Sequence, residues 1–143
     1  MRISIKKVYY GLILGFVFIL LMWTCMRDLV GSMCGNQIVS EQISPDKNFK
    51  CIVFVRDCGA TTGFSTQVSI VRSNEKLRDD DTGNVLTISD HYYGGKTNKF
   101  GGADVKVKWV TSKRLLLRFD GEAEVGTKKN EVKEIEIMYD EIY

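Results

Sequence analysis

The chain has one histidine, His91, and one proline, Pro45, among its 143 residues. A single histidine excludes His-rich zinc sites and makes any Cys-His nucleophile pair depend on His91 meeting a free thiol. A single proline, with no Ser-, Gln- or Pro-rich tract, argues against a disordered tail. An excess of one charge sign is also missing, since 20 Lys and Arg face 18 Asp and Glu. Arg2, Lys6, Lys7 and Arg27 precede Cys34, with Asp28 the lone acid there, so the remainder is about one negative charge from neutral. So balanced a chain offers no electrostatic case for a nucleic-acid partner. No internal repeat is visible at any long period.

What is present is one long apolar run, Val8 to Met26, with Lys6 and Lys7 before it and Arg27-Asp28 after it. As a helix it measures roughly 28 Å, close to the roughly 30 Å hydrocarbon thickness of a bilayer. The alternative is a cleaved signal peptide, which needs a shorter apolar core and a small-residue cleavage site. No Ala-x-Ala-like site lies between Trp23 and Asn36, and neither Cys25 nor Cys34 follows the small residue expected of a lipid-modified cysteine. An uncleaved single-pass anchor in the inner or plasma membrane is therefore expected, with the lipid bilayer as its partner along Val8 to Met26. The basic flank places the N-terminus in the cytoplasm. The predicted organisation is a cytoplasmic N-terminus over residues 1–7, an anchor over 8–26, a linker over 27–33 and an extracytoplasmic domain over 34–143. Gly11 and Gly15 form a Gly-x-x-x-Gly pair that allows weak self-association, although glycine is common in membrane helices anyway.

Beyond Cys34 the pattern is almost wholly β, and the length suits one domain with a real core. Val105, Val107 and Trp109 alternate with lysines; Leu115, Leu117 and Phe119 face one way; Ile135, Ile137 and Tyr139 do the same. Phe49 to Asp57 is apolar on both faces in its middle and suits a central strand. Phe64, Thr66, Val68 and Ile70 alternate with Ser65, Gln67 and Ser69. Ser44 to Asn48 and Thr111-Ser112-Lys113 read as turns, and Ser73 to Asp81 as an acidic loop with at most a short helical turn. The predicted fold is mainly β, one N-terminal transmembrane helix followed by a small antiparallel meander of six or seven strands forming a sandwich or open barrel. Trp109 is the expected large core anchor.

Cys34, Cys51 and Cys58 permit one bridge and one leftover thiol in an oxidising compartment. Cys51 lies in an apolar strand, whereas Cys34 and Cys58 flank strands beside Gly35 and Gly59, which favours a Cys34–Cys58 pair; the alternative is three reduced thiols. Such a bridge stabilises by roughly 3 kcal/mol on loop entropy.

The string Cys58-Gly59-Ala60-Thr61-Thr62-Gly63-Phe64-Ser65-Thr66-Gln67-Val68-Ser69-Ile70, with Cys34-Gly35-Asn36 upstream, Ser44-Pro45-Asp46 before the second strand and Phe49-Lys50 within it, resembles an uncharacterised bacterial family of small membrane-anchored proteins. The resemblance covers about half of the segment after the anchor and weakens after Asp90. It implies an extracytoplasmic β domain with Cys34 and Cys58 paired, and it adds no chemistry, because the family has no assigned activity. The family's turn reads Ser-Pro-Asp-Gly-Lys; here Lys47-Asn48 replace the last two, and Asn48 is expected to take the left-handed conformation.

The candidate binding loop comprises Arg56, Asp57, Gly59, Thr61, Thr62 and Gly63. Its small residues can cradle an anion or a peptide carboxylate, with Arg56 and Asp57 as charged partners; the structural alternative is a bridge-pinned turn whose threonines bond their own backbone. Other motifs fail on spacing. Gly95-Lys96-Thr97 lacks the earlier glycine of a phosphate loop, where Asp90 stands, and Asp79 to Asn84 breaks the calcium-loop pattern. No metal and no cofactor is expected. Two functions survive: a membrane-tethered extracytoplasmic module binding an envelope protein or peptide, and a thiol-dependent hydrolase or redox protein using Cys58 and His91.

Overall fold

The computed structural model describes residues 5–31, 34–59, 63–89 and 95–143. They divide into two units, one ending at Met33 and one running from Cys34 to Tyr143. In the first unit the helix α1 spans Ile5–Gly31 and contains the apolar stretch Val8–Met26, long and apolar enough to cross a membrane. It runs past the apolar stretch at both ends, so most of the expected linker over 27–33 is helical. Nothing in Arg27 to Val30 breaks a helix; the next glycine is Gly31, where α1 stops. The Thr24 hydroxyl donates to the Leu21 carbonyl at 2.9 Å, one turn back along the helix. Gly11 and Gly15 have open space where a Cβ would lie.

The second unit is built from nine strands: β1 Gly35–Ile43, β2 Phe49–Asp57, β3 Phe64–Arg72, β4 Leu86–Ser89, β5 Lys106–Thr111, β6 Arg114–Asp120, β7 Val125–Lys128, β8 Glu131–Val132 and β9 Ile135–Ile142. They form a five-stranded sheet in the order β1-β2-β3-β4-β7 and a four-stranded sheet in the order β5-β6-β9-β8. The inner faces meet through residues that alternate along each strand, as half-buried strands require. Cys51 and Val53, Val68 and Ile70, and Leu86 and Ile88 come from the first sheet; Leu115, Leu117, Phe119, Ile135 and Ile137 come from the second. The strands anticipated from alternation are all present, and no helix forms between Ser73 and Asp81.

Three short strands were not anticipated, and they change the topology. After β6 the chain crosses to add β7 to the first sheet, then returns through the β8–β9 hairpin. Strand β9 therefore starts at the same end as β6 and pairs with it in parallel, from Arg114 opposite Glu136 to Asp120 opposite Ile142. On the outer face this register sets Arg114 Nε at 2.7 Å from Glu136 and Arg118 Nη2 at 2.6 Å from Asp140. Trp109, the expected large core anchor, is half-buried and packs against the core. Its ring packs on the core edge while Nε1 donates to the Gln42 carbonyl at 3.0 Å, tying β5 to β1.

The largest fully buried side chain is Phe54. The β2–β3 register places Phe54 and Ile52 on the outer face with Arg56 and Gln67. They are buried because the 76–84 segment, a strap between β3 and β4, doubles back across that face. Central strands β2 and β3 are thus covered on both sides, which explains their continuous apolar middle.

The β1–β2 turn resolves the expected left-handed residue differently. Lys47, with φ 61°, holds that conformation rather than Asn48. Asn48 is occupied otherwise, since its Nδ2 donates to Asp46 at 2.7 Å. The Ser44 hydroxyl also donates to Asp46, at 2.6 Å, and with Asn48 holds that carboxyl below the usual range. A lysine side chain is disfavoured at this φ, where glycine is not. Lys47→Gly is therefore expected to raise unfolding stability by up to about 1 kcal/mol in urea titrations; a loss of stability contradicts this account of the turn.

Candidate functional site

The expected bridge is formed: Cys34 and Cys58 lie with their sulfurs 2.04 Å apart. They extend the β1–β2 ladder by one step, because Gly35 already faces Asp57 and Asn36 faces Arg56. Cys58 thus carries no free thiol for nucleophilic chemistry. Cys51 is fully buried, and burial pushes its thiol far above the ordinary range, so it is a poor nucleophile as well. His91, the histidine of the thiol-enzyme reading, lies outside the described residues.

Of the candidate loop, Thr61 and Thr62 also lie outside the described residues. Gly59 and Gly63 both have left-handed backbone, with φ 94° and 66°. Asp57 turns its carboxylate onto the backbone, accepting the Gly59 N–H at 2.8 Å. Arg56 is engaged by the protein itself. Its Nη1 donates to the carbonyls of Asp79 and Asp81, each at 2.8 Å, and to Asn36 Oδ1 at 3.1 Å. Asn36 in turn donates through Nδ2 to the carbonyls of Arg78 (2.6 Å) and Asp81 (2.8 Å). Gln67 accepts from the Gly83 N–H at 2.6 Å, and the Ser69 hydroxyl accepts from the Asn84 N–H at 3.2 Å. These groups fasten the strap across β1, β2 and β3, so the residues of the Cys58 to Ile70 string divide by face. Thr66, Val68 and Ile70 face the core, while Gln67 and Ser69 hold the strap.

The acidic run is likewise spent locally. Asp79 Oδ1 accepts from the Asn36 N–H at 3.2 Å, and Asp81 Oδ2 from the Arg78 N–H at 2.8 Å. Among the described residues no group of three His, Cys, Asp or Glu side chains is arranged to hold a metal ion. Lys96 and Thr97 belong to a short bridge, with Thr97 opposite Ala103, rather than to a helix N-terminus.

Where the strap ends, the outer face of β3, β4 and β7 lies open as a groove of about 320 Å³. Its floor is polar and uncharged, made by Ser65, Gln67, Thr87 and Ser89; Glu124 stands on one side, and Phe64, 46% exposed, stands at the end beside Cys58. Sequence reasoning reached Arg56, Cys58 and Gly63 on the rim of this groove but missed its floor, because β4 and β7 are too short to show an alternating pattern. Comparison with protein-family models, with curated proteins and with solved structures finds no match.

The Arg56 contacts are charge-assisted hydrogen bonds to half-buried oxygens. Arg56→Leu is expected to cost about 2–3 kcal/mol in urea unfolding and to expose the strap to trypsin after Lys76 and Arg78. Arg56→Lys should recover only part of this, since an ammonium cannot reproduce the planar fork. Wild-type stability in Arg56→Leu contradicts the assignment.

Proposed function

We propose that the chain is a membrane-tethered binding module of the bacterial envelope, of the kind its Cys58 to Ile70 string resembles. Val8 to Met26 remains in the bilayer, residues 1–7 lie in the cytoplasm, and the β domain from Cys34 onward projects into an oxidising compartment. One observation carries this reading: an apolar helix of membrane length is followed directly by a domain whose first cysteine is bridged. Disulfides persist outside reducing cytoplasm, and a bridge that begins at the domain's first residue suits export of everything after the anchor. The polar groove over β3, β4 and β7, next to that bridge, is the surface proposed to take an envelope protein or peptide. The engagement of Cys58 in the bridge weighs against the thiol-enzyme alternative, which requires that sulfur as a nucleophile.

The test is topological. In cells making the full chain with a C-terminal reporter active only in the cytoplasm, the reporter should be silent, and protease applied after the outer layers are opened should remove the β domain from its anchor. An active reporter with a protected β domain overturns the proposal.

A further inference from the structure

We propose that the end of the β domain opposite the disulfide carries a second site, formed by Arg72, Lys113 and Lys133, that takes an acidic peptide segment. It does not depend on the membrane reading, because it rests on the turns of the β domain alone.

The first observation is where unfavourable backbone is kept. Among the described residues, Lys47, Lys133 and Glu134 are the non-glycine residues with left-handed φ, at 61°, 52° and 63°. All three lie in turns at this one end. Lys133-Glu134 is the two-residue connection between Val132 and Ile135, and two successive left-handed residues make the turn for which Asn-Gly is the low-energy choice. Lys47 fills a position in the β1–β2 turn that also favours glycine. Charged side chains are thus kept where the backbone disfavours any side chain, and strain of this kind concentrates at binding surfaces.

The second observation is the cavity of about 590 Å³ between these turns, lined by Arg72, Lys113, Lys133 and Glu134 over Phe49 and Ile135. Its cations are loosely held. Lys113 Nζ is 3.5 Å from Glu134, and Lys133 Nζ is 3.8 Å from Glu75. Asp46, also on the rim, has its carboxylate occupied by the neutral donors of Ser44 and Asn48. Arg72 uses its backbone N–H on Glu75, and its guanidinium has no partner among the described residues.

A guanidinium with two nearby ammoniums is suited to a carboxylate, which it can grip through two parallel hydrogen bonds. The interleaved Glu75 and Glu134 disfavour a dense polyanion, while Phe49 and Ile135 offer apolar contact to a neighbouring side chain. An acidic peptide with apolar residues meets all three conditions.

The test uses the full chain in detergent micelles, titrated with acetyl-Leu-Glu-Leu-Glu-amide, its Gln counterpart and inorganic phosphate, followed by backbone amide NMR. Saturable shifts at Ser112, Lys113 and Glu134 are expected with the Glu peptide, with binding at least about tenfold weaker for the other two. Arg72→Gln should lose about tenfold in affinity without a change in Tm. Lys133→Gly should bind several-fold more weakly while its Tm rises, so that lost binding cannot be ascribed to misfolding. The proposal is overturned by an absence of saturable shifts, by equal binding of the Gln peptide or phosphate, or by wild-type affinity in both variants.

Discussion

The Cys34–Cys58 bridge is the constraint on which the arrangement of the β domain depends. It joins residues 24 apart in sequence at the end of the β1–β2 ladder, one step beyond the Gly35–Asp57 pair. Strand β1 is an edge strand, held on one side by β2, with Trp109 donating to the Gln42 carbonyl near its end and Asp79 accepting the Asn36 N–H near its start. Left to its ladder alone, its first residues would fray, as strand ends do. Closing this loop removes about 3 kcal/mol of chain entropy from the unfolded state and keeps Asn36 beside Arg56. That pair then gathers the carbonyls of Arg78, Asp79 and Asp81 and lays the strap over Phe54 and Ile52.

From this follows an asymmetry in the first sheet. The middle of β2 and of the β3 segment beside it is buried on both faces, so β2 reads as a continuous apolar strand with even Lys50 largely covered and paired to Glu41 at 3.1 Å. The sheet's β3-β4-β7 half is buried only on the inner face and presents hydroxyls and amides outward. Strand β3 is the boundary, which is why a single nine-residue strand carries core positions, strap-holding positions and groove-floor positions together. The most distinctive string of the sequence therefore has a structural reason for each of its residues from Ser65 to Ile70, independent of any ligand.

Much of this was legible beforehand, and the limits have physical causes. Strands β2, β3, β5, β6 and β9 announce themselves by alternation or by an apolar middle, because burial on one or both faces acts on every residue of a long strand. The bridge was legible because two cysteines flank strands beside glycines while the third lies within an apolar run. Strands β4, β7 and β8, of four, four and two residues, are set by pairing with distant partners, and no local period survives at that length. The parallel β6–β9 pair depends on them, so it was hidden too. The strap-holding role of Arg56 was hidden for a similar reason: the carbonyls that it binds lie more than twenty residues on in the sequence. At the β1–β2 turn, asparagine is the better left-handed residue by propensity, yet Asn48 is drawn to Asp46, and the strain falls on Lys47.

The domain thus presents two unlike surfaces at its two ends: a neutral, hydroxyl-lined groove beside the bridge, and the Arg72, Lys113 and Lys133 cluster roughly 30 Å away along β1. At the bridge end the first strand is clasped to the second by Cys34 and Cys58. The most direct measurement of that clasp is non-reducing peptide mapping of the full chain from the cells that make it, with thiols blocked before lysis. The account requires a linked peptide pair containing Cys34 and Cys58, with Cys51 recovered unlinked. Recovery of Cys34 and Cys58 as separately blocked thiols in folded protein would contradict it.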